Sequence, residues 1–489
     1  MPAMRFLLLP IAALLLAGPA QAVALEPCRL PGLEHAAQCG RLLRPLDPGQ
    51  PQGRSIGVHF AVLPALARNK KPDPVFFFAG GPGQSAIDLA GHVSRLLARL
   101  SNRRDIVLVD QRGTGRSAPL VCDRALPTRP LRDSADPARL AEEVRDCLAR
   151  LQALPQGDLR QYTTTIAVQD ADAVRRALGA DRINLVGASY GTRAALEYQR
   201  QFPQTVRRAV LDGVAPPDMA LPASFSPDAQ AAFDALLTAC AAEPICARRH
   251  PDLRAQWRGV LASLPREVTL AHPVTGRDER FVLSREMALM LARAPLYAPA
   301  LAAALPQAIA EAADGRFAAL VGLAGALQGP RNTGALAMGM HLSVICAEDM
   351  PLVQSSFERA GADFGNNQAA RYEKFCADWP RGTVPPAFYA MPPAPAATLL
   401  LSGGADPSTP PRHGERAAQA LGAKARHVVV PNAGHGLLAL PCLRDAVFRF
   451  IDAETDADAL AVDAGCALSL PRPPSFAPVA APAGAKAPR

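Results

Sequence analysis

The chain has 489 residues, of which 49% are hydrophobic and 20% charged, and its formal net charge is +8. This composition is typical of a large globular protein and excludes a disordered or fibrous one. Because the arginines are scattered among acidic residues and form no basic stripe, the charge indicates a solvated surface and no nucleic-acid partner.

The N-terminus has the pattern of a secretory signal peptide. Arg5 precedes an apolar run from Phe6 to Ala17, and Ala20-Gln21-Ala22 forms a small-x-small cleavage site. The alternative is an uncleaved membrane anchor, but the run is shorter than the about 20 residues of a membrane span. We therefore expect residues 1–22 to be removed, and the mature chain to have no membrane span and to be periplasmic or extracellular.

Ten cysteines in an exported chain favour disulfide bonds. Their spacings match neither a zinc ribbon nor a CxxC redox pair, so we expect no metal and no other cofactor. Sequential pairing is the simplest hypothesis, although the sequence alone does not fix connectivity. The predicted pairs are Cys28–Cys39, Cys122–Cys147, Cys240–Cys246, Cys346–Cys376 and Cys442–Cys466.

The pattern of residues 23–215 predicts the first part of an α/β unit. Short apolar runs alternate with amphipathic stretches, as expected for a mostly parallel sheet whose strands are buried between helices. One predicted helix begins with the Asp136 cap and Pro137, and another ends before Gly179. The predicted strands are Ile56–Leu63, Pro74–Phe78, Asp105–Val109, Ile183–Val186 and Ala209–Leu211.

The character of the chain changes over residues 216–395, which are rich in Ala, Leu, Met and Pro and show no strand–helix alternation. The alternation returns over residues 396–469, and a Pro/Ala tail at 470–489 is expected to be disordered. The simplest fold is one α/β sheet interrupted by a large helical cap before its late strands. Helical periodicity in the cap is clearest at 228–240, 284–293 and 299–313.

Gly187-Ala188-Ser189-Tyr190-Gly191 matches GxSxG between a predicted strand and a predicted helix. In the α/β-hydrolase fold this pattern makes a sharp turn that exposes the serine at a helix N-terminus. The pentapeptide by itself is a weak signal, but the strand and helix around it favour Ser189 as a nucleophile.

A serine nucleophile needs a base and an orienting acid, which follow it in this fold in the order acid, then histidine. Among nine histidines, only His435 lies in a loop with glycine on both sides, just after a late strand. Asp406 is the expected acid because it follows strand Thr398–Leu401 and precedes His435. The rival is Asp212, which also follows a strand but could equally be a turn residue.

An oxyanion hole should combine the backbone N–H of the residue after the nucleophile with one from the loop after an early strand. The first donor is Tyr190. The second lies in Gly80-Gly81-Pro82-Gly83, where glycines let backbone amides face a ligand, and Gly81 is the predicted residue.

Five motifs together resemble the prolyl aminopeptidase and secreted tripeptidyl aminopeptidase family of α/β-hydrolase serine peptidases. The resemblance covers about residues 55–215 and 340–466, and it implies an exopeptidase acting on peptides with free N-termini. Ala79 departs from the histidine that many prolyl aminopeptidases have before GGPG, which weakens a strict specificity for proline. The motifs are Gly80–Ser85, Asp110–Ser117, Gly187–Gly191, Gly403–Pro410 and Gly434–Gly436.

The resemblance also implies a carboxylate that holds the substrate ammonium group. Cys346-Ala347-Glu348-Asp349 is similar to the family segment that supplies it, with Glu348 as the candidate and Asp349 as the fallback. The alternative is an ordinary solvated acidic pair.

The leading hypothesis is therefore an exported serine aminopeptidase with Ser189, His435 and Asp406 as its triad. A carboxylesterase or lipase with the same triad is the alternative, and a purely apolar cap would favour it. A catalytically inactive binding protein is a third possibility, which a complete triad disfavours. The sequence leaves open the preferred N-terminal residue, the number of residues released and the oligomeric state.

Overall fold

The computed structural model describes residues 23–122, 128–326, 336–353 and 359–477. The predicted signal peptide, residues 1–22, lies outside these ranges, as does the end of the predicted tail from residue 478 onward. Residues 470–477 contain no helix or strand.

Nine strands form one sheet in the order β1-β2-β3-β5-β4-β6-β7-β10-β11. The pairs β1–β2, β2–β3 and β3–β5 are antiparallel. Every neighbouring pair from β5 to β11 in this order is parallel. The mostly parallel sheet predicted from the sequence is therefore confirmed. The strands are β1 Glu26–Cys28, β2 Ala37–Pro45, β3 Ser55–Leu63, β4 Val75–Phe78, β5 Ile106–Val109, β6 Ile183–Ala188, β7 Val206–Asp212, β10 Thr398–Gly403 and β11 Ala425–Val430, with β8 Arg266–Ala271 and β9 Asp278–Leu283 in a separate hairpin.

Helices cover both faces of the sheet, which is why its central strands are apolar along their whole length. On one face Val93 of α1 and Phe450 of α17 pack in one core cluster, and on the other Val168 of α4 and Ala194 of α5 pack in another. The helices are α1 Ala90–Leu96, α2 Leu131–Ala135, α3 Pro137–Gln152, α4 Thr164–Ala177, α5 Tyr190–Gln201, α6 Leu221–Ala242, α7 Pro244–Arg249, α8 Leu253–Ala262, α9 Arg285–Arg293, α10 Pro299–Ala302, α11 Leu305–Ala313, α12 Ala318–Gly325, α13 Met338–Val344, α14 Met350–Val353, α15 Asn367–Cys376, α16 Pro411–Leu421, α17 Pro441–Asp452 and α18 Asp456–Leu460.

The carboxyl ends of parallel strands meet at one edge of a sheet, where ligands of open α/β folds bind. Here β4, β6, β7 and β10 end side by side at Phe78, Ala188, Asp212 and Gly403. The loops that carry the sequence-predicted site residues therefore leave the sheet at the same edge.

The segment between β7 and β10 is largely helical and has a core of its own around Phe233, Trp257 and Leu305. The predicted helical stretch at 299–313 is divided into α10 and α11, and Pro306 lies in the first turn of α11. Proline lacks the N–H for an i→i−4 hydrogen bond and clashes with the preceding turn, so the helix restarts at this point.

This segment also contains the β8–β9 hairpin, which was not predicted from the sequence. Val268 and Leu270 of β8 are buried while Thr269 between them is exposed. That alternation of two is the signal of a half-buried strand, but it is short and lies in an otherwise helical region.

The ten cysteines form the five sequential disulfides that the sequence predicts. Disulfides persist in oxidising compartments, so their presence fits an exported protein. Across the described ranges, the helices are either too short or too polar to cross a bilayer.

Candidate active site

The Ser189 turn joins β6 to α5, and its backbone has an unusual conformation. Ser189 has φ +56°, which few non-glycine residues adopt. A Cβ on Gly191 would lie 2.0 Å from the Phe78 carbonyl oxygen, and one on Gly187 would lie 2.4 Å from the Gly191 oxygen. Both outer positions of GxSxG must therefore be glycine, because the turn passes directly against β4 and against itself.

The Asp406 carboxylate and the His435 imidazole form a close hydrogen-bonded pair. Asp406 Oδ2 lies 2.7 Å from His435 Nδ1, the Asp406 side chain is fully buried, and that of His435 is 20% exposed. Asp406 also accepts hydrogen bonds from the backbone N–H groups of Ser408 and Thr409 and from Thr409 Oγ1. These bonds fix the carboxylate with one oxygen towards the imidazole.

The pair perturbs the pKa of both members. Burial by itself would raise the pKa of Asp406, but the neighbouring His435 and the hydrogen bonds outweigh burial and lower it to about 2. Burial by itself would lower the pKa of His435, but the charge and hydrogen bond of Asp406 outweigh it and raise the pKa to about 9. The site thus favours a protonated imidazole beside an ionised carboxylate, as an acid–base catalyst of this kind requires after it takes a proton.

The rival acid, Asp212, has other partners. Its two carboxylate oxygens accept hydrogen bonds from the Leu437 and Leu438 backbone N–H groups, at 2.8 and 3.0 Å. Asp212 thereby holds the chain that follows His435, while Asp406 contacts the imidazole itself. This geometry favours Asp406 as the orienting acid.

The backbone around Asp212 also brings His435 to the Ser189 turn. The Ser189 N–H donates to the Asp212 carbonyl oxygen at 2.8 Å, and a Cβ on Gly213 would lie 3.2 Å from His435 Cε1. Both residues are in the described part of the chain, and no hydrogen bond joins Ser189 Oγ to the imidazole there. Such bonds are often long without substrate and tighten when it binds.

The two predicted oxyanion donors, Gly81 and Tyr190, both belong to backbone segments next to Ser189. Gly81 has φ +112°, and a Cβ on its neighbour Gly80 would lie 3.2 Å from Ser189 Cβ. Within the described ranges, the Gly81 and Tyr190 backbone N–H groups donate to no protein acceptor. Both are therefore free to bind a ligand oxygen.

Asp110 anchors the glycine loop that contains Gly81. It is buried and accepts hydrogen bonds from Ser85 Oγ at 2.6 Å and from the Ile87 and Arg116 backbone N–H groups. A Cβ on Gly115 would lie 1.9 Å from the Asp110 carboxylate. This contact explains why the Gly80–Ser85 and Asp110–Ser117 motifs occur together.

The structure places Glu348 and Asp349 away from solvent, in a turn of π-helix at Ile345–Asp349. Arg193 of α5 forms two hydrogen bonds of 3.1 Å with the Asp349 carboxylate, and its guanidinium lies 3.7 Å from Glu348 Oε2. Thr164 donates to both Glu348 oxygens, and Thr164 Oγ1 lies 2.6 Å from the Tyr190 hydroxyl. The solvated acidic pair considered above is therefore wrong.

This geometry does not support the predicted role in binding the substrate amine either. All three charged side chains have no exposed surface, and the single positive charge of Arg193 lies nearer to Asp349 than to Glu348. Burial raises the pKa of Glu348 to about 7, although Arg193 opposes the shift. A substrate ammonium would have to displace Arg193 or Thr164, so the cluster is better suited to fixing α5 behind Ser189.

Two further residues contact the imidazole and were not predicted from the sequence. The Tyr297 ring packs edge-on against the His435 imidazole, with 5.3 Å between the ring centres. The Tyr297 backbone carbonyl oxygen accepts a hydrogen bond from the His435 backbone N–H at 3.0 Å. Thr409 Oγ1 lies 3.2 Å from His435 Nδ1. Thr409 lies within the Gly403–Pro410 motif, whereas nothing in the sequence distinguishes Tyr297 from the other residues of the insertion.

The part of the chain that the structure describes contains no group of three His, Cys, Asp or Glu residues that could hold a metal ion. The arrangement of Ser189, His435 and Asp406 can instead perform proton transfer and nucleophilic attack, with Gly81 and Tyr190 as oxyanion donors.

Comparisons with known proteins match two segments to families. Residues 73–239 match the alpha/beta hydrolase fold family, and residues 360–459 match the family described as TAP-like protein. Serine protease Hip1 of Mycobacterium tuberculosis is 28% identical over 435 residues, which are 81% of this chain and 82% of that protein. Tripeptidyl aminopeptidase of Streptomyces lividans is 30% identical over 191 residues, which are 37% of this chain and 36% of that protein. A solved alpha/beta hydrolase enzyme from a deep-sea metagenome library covers 83% of the chain at 15% identity, with a TM-score of 0.37.

Asp406→Asn should reduce kcat by about 10³–10⁴-fold without unfolding the protein, because the amide cannot hold the imidazole in its productive state. Asp212→Asn is the matched control. It should mainly lower the melting temperature, because it weakens the bonds to Leu437 and Leu438. Steady-state rates and melting curves of both variants test this, and the reverse pattern would identify Asp212 as the acid.

The rate on p-nitrophenyl acetate, which has no titrating group near neutral pH, should rise with pH up to about 9. The sign follows because the imidazole must be neutral to accept a proton and Asp406 raises its pKa. In Asp406→Asn, burial still lowers the pKa of His435 but the carboxylate no longer raises it. The midpoint of the pH–rate curve should therefore move to lower pH. A midpoint that does not respond to this substitution would contradict the assignment of His435 as base.

Glu348→Gln and Asp349→Asn should lower the melting temperature and change turnover of an unblocked peptide amide and of p-nitrophenyl acetate by similar factors. The reason is that removing one partner of a buried ion pair costs about 3–5 kcal/mol of stability, whatever the substrate. A loss confined to the unblocked peptide would instead establish the amine-binding role.

Proposed function

This chain belongs to the α/β-hydrolase serine peptidases that include tripeptidyl aminopeptidase, and we propose that it is an exported aminopeptidase cutting peptides near their free N-termini. Its substrates are peptides, in keeping with the peptidases it resembles. The nucleophile, base and orienting acid in this proposal are Ser189, His435 and Asp406.

The proposed reaction proceeds through an acyl-enzyme. Ser189 Oγ attacks the scissile carbonyl carbon while His435 takes the hydroxyl proton, and Asp406 holds the imidazolium that forms. The carbonyl oxygen becomes an oxyanion that accepts hydrogen bonds from the Gly81 and Tyr190 N–H groups. His435 then gives its proton to the leaving amine, and the C–N bond breaks. In the second half of the reaction, water attacks the acyl-enzyme while His435 takes its proton, and His435 returns that proton to Ser189 Oγ as the acid product leaves.

The observation that carries the proposal is the 2.7 Å contact of Asp406 with His435. This pair lies near the end of β7, where the Asp212 carbonyl oxygen accepts a hydrogen bond from the Ser189 N–H. Three loops from three parallel strands supply these groups, which the chain separates widely. A buried carboxylate hydrogen-bonded to an imidazole near a partly exposed serine is the arrangement that activates a hydroxyl.

An exopeptidase is favoured because the insertion covers the site from two sides. The Ala337 N–H donates to the Gly83 oxygen at 2.9 Å, and Leu336 packs on Gly81. On the other side, Tyr297 packs on His435. A site enclosed in this way admits the end of a peptide more readily than the middle of a folded chain, and the tripeptidyl aminopeptidase relative supports the N-terminal end.

Export is part of the proposal. The five disulfides support an oxidising compartment, and residues 1–22 have the pattern of a signal peptide. We therefore place the mature enzyme in the periplasm or the extracellular medium.

Chromogenic amides of one, two and three residues, each with a free or an acetylated N-terminus, test the proposal. The wild type should cleave free substrates and spare acetylated ones. Ser189→Ala should lose on the order of 10⁶-fold in kcat, while Ser94→Ala on α1 should behave as the wild type.

The other functions give different results. An esterase would hydrolyse p-nitrophenyl esters and none of the amides. A binding protein would fail to react with a fluorophosphonate probe. Equal cleavage of acetylated and free peptides would reject an aminopeptidase while leaving a serine peptidase in place.

A further inference from the structure

One buried arginine beside the candidate site lacks the carboxylate partner that the others have. The buried arginines of the described ranges are Arg104, Arg112, Arg193, Arg208 and Arg293. The first four each lie within 4 Å of an aspartate, namely Asp73, Asp170, Asp349 and Asp456 respectively. No described carboxylate lies within that distance of Arg293, which is only 6% exposed.

Arg293 is held in place by aromatic rings and one backbone oxygen. Its guanidinium carbon lies 3.7 Å from the centre of the Phe225 ring and 4.9 Å from that of Tyr297. Its Nη2 lies 3.4 Å from the carbonyl oxygen of Pro407, the residue after Asp406. Among the residues that the structure describes, its Nε has no hydrogen-bond partner. Cation–π contacts of this kind offset only part of the cost of burying a charge.

The position of Arg293 relative to His435 identifies the part of the substrate that it would meet. Tyr297 contacts both of them, with its ring centre 5.3 Å from that of the imidazole and 4.9 Å from the guanidinium carbon. The guanidinium carbon is therefore within about 10 Å of His435. Because the imidazole protonates the leaving amine, a group this close to His435 is within reach of the leaving fragment.

We propose that Arg293 binds a carboxylate on the leaving fragment of the substrate. A guanidinium is planar, always charged and suited to bidentate recognition of a carboxylate, which would complete its charge balance as aspartates do for the other four arginines. The inference rests on the proposed function and narrows its substrate class to peptides with a carboxylate next to the scissile bond. That carboxylate is a free C-terminus or an acidic side chain.

Peptides that differ only in the leaving residue separate these sources. The same unblocked acyl part is joined to alanine, to alaninamide, to aspartic acid α-amide or to p-nitroaniline. The wild type should cleave the alanine peptide about 10- to 100-fold faster in kcat/KM than the alaninamide peptide, the size of a charge-assisted hydrogen bond. Intrinsic reactivity runs the other way, because a free carboxylate makes the leaving amine more basic. A matching gain with the aspartic acid α-amide would identify the side chain as a source.

Arg293→Met should remove this preference, lowering kcat/KM on the alanine peptide to the value on the alaninamide peptide. Arg285→Met is the matched control, since Arg285 is an exposed cation at the other end of the same helix, α9. Arg293→Lys keeps the charge without the bidentate geometry and should retain part of the preference.

Equal wild-type rates on alanine and alaninamide peptides would overturn the inference, and that comparison needs no variant. Equal losses of Arg293→Met on every substrate would also overturn it, because Arg293 would then act by positioning Tyr297 and His435. If the wild type hydrolyses p-nitrophenyl acetate but no peptide or p-nitroanilide, the proposed function itself fails.

Discussion

The close packing of the Ser189 turn against the end of β4 is the constraint on which the rest of the site depends. The backbone of Gly191 approaches the Phe78 carbonyl so closely that no side chain fits between them. This contact fixes where α5 starts and sets the Tyr190 N–H beside the loop of Gly80 and Gly81. The positive φ of Ser189 is tolerated because β6 is buried on both faces and hydrogen-bonded to strands on both sides.

Helix α5, which starts at this turn, is also bonded to the insertion through buried charged side chains. Arg193 lies one turn after Ser189 and binds Asp349 and, more distantly, Glu348, while Asp349 also accepts from the Leu221 N–H at the start of α6. Burying charges is costly unless they are compensated, and here one arginine faces two carboxylates while burial raises the pKa of the more distant one, Glu348. The insertion is thus tied to the sheet by the same helix that presents the nucleophile.

Buried arginines therefore have two kinds of environment in this protein. Four are neutralised by aspartates and join elements of the fold, as Arg112 does by binding Asp170 of α4. Arg293 is instead stacked on Phe225 and Tyr297 beside the site. A buried cation without a carboxylate partner lowers the stability of the fold. Such groups often occur where a bound ligand supplies the opposite charge.

The sequence by itself determined the mostly parallel sheet and predicted the serine turn and the order of its acid and histidine, because these depend on local patterns: apolar runs of strand length and glycines at a close approach. Sequential disulfide pairing was only the simplest hypothesis from the sequence, and the fold brings those cysteines together. The sequence left Asp406 and Asp212 as rivals, since both follow strands, and only folding showed that one faces the imidazole and the other the Leu437 and Leu438 N–H groups. It also gave Glu348 and Asp349 a role in holding the substrate ammonium group, whereas the fold buries both of them against Arg193. Tyr297 and Arg293 carried no signal, because their neighbours at the site are more than 60 residues away along the chain, and only tertiary packing decides which distant residues meet.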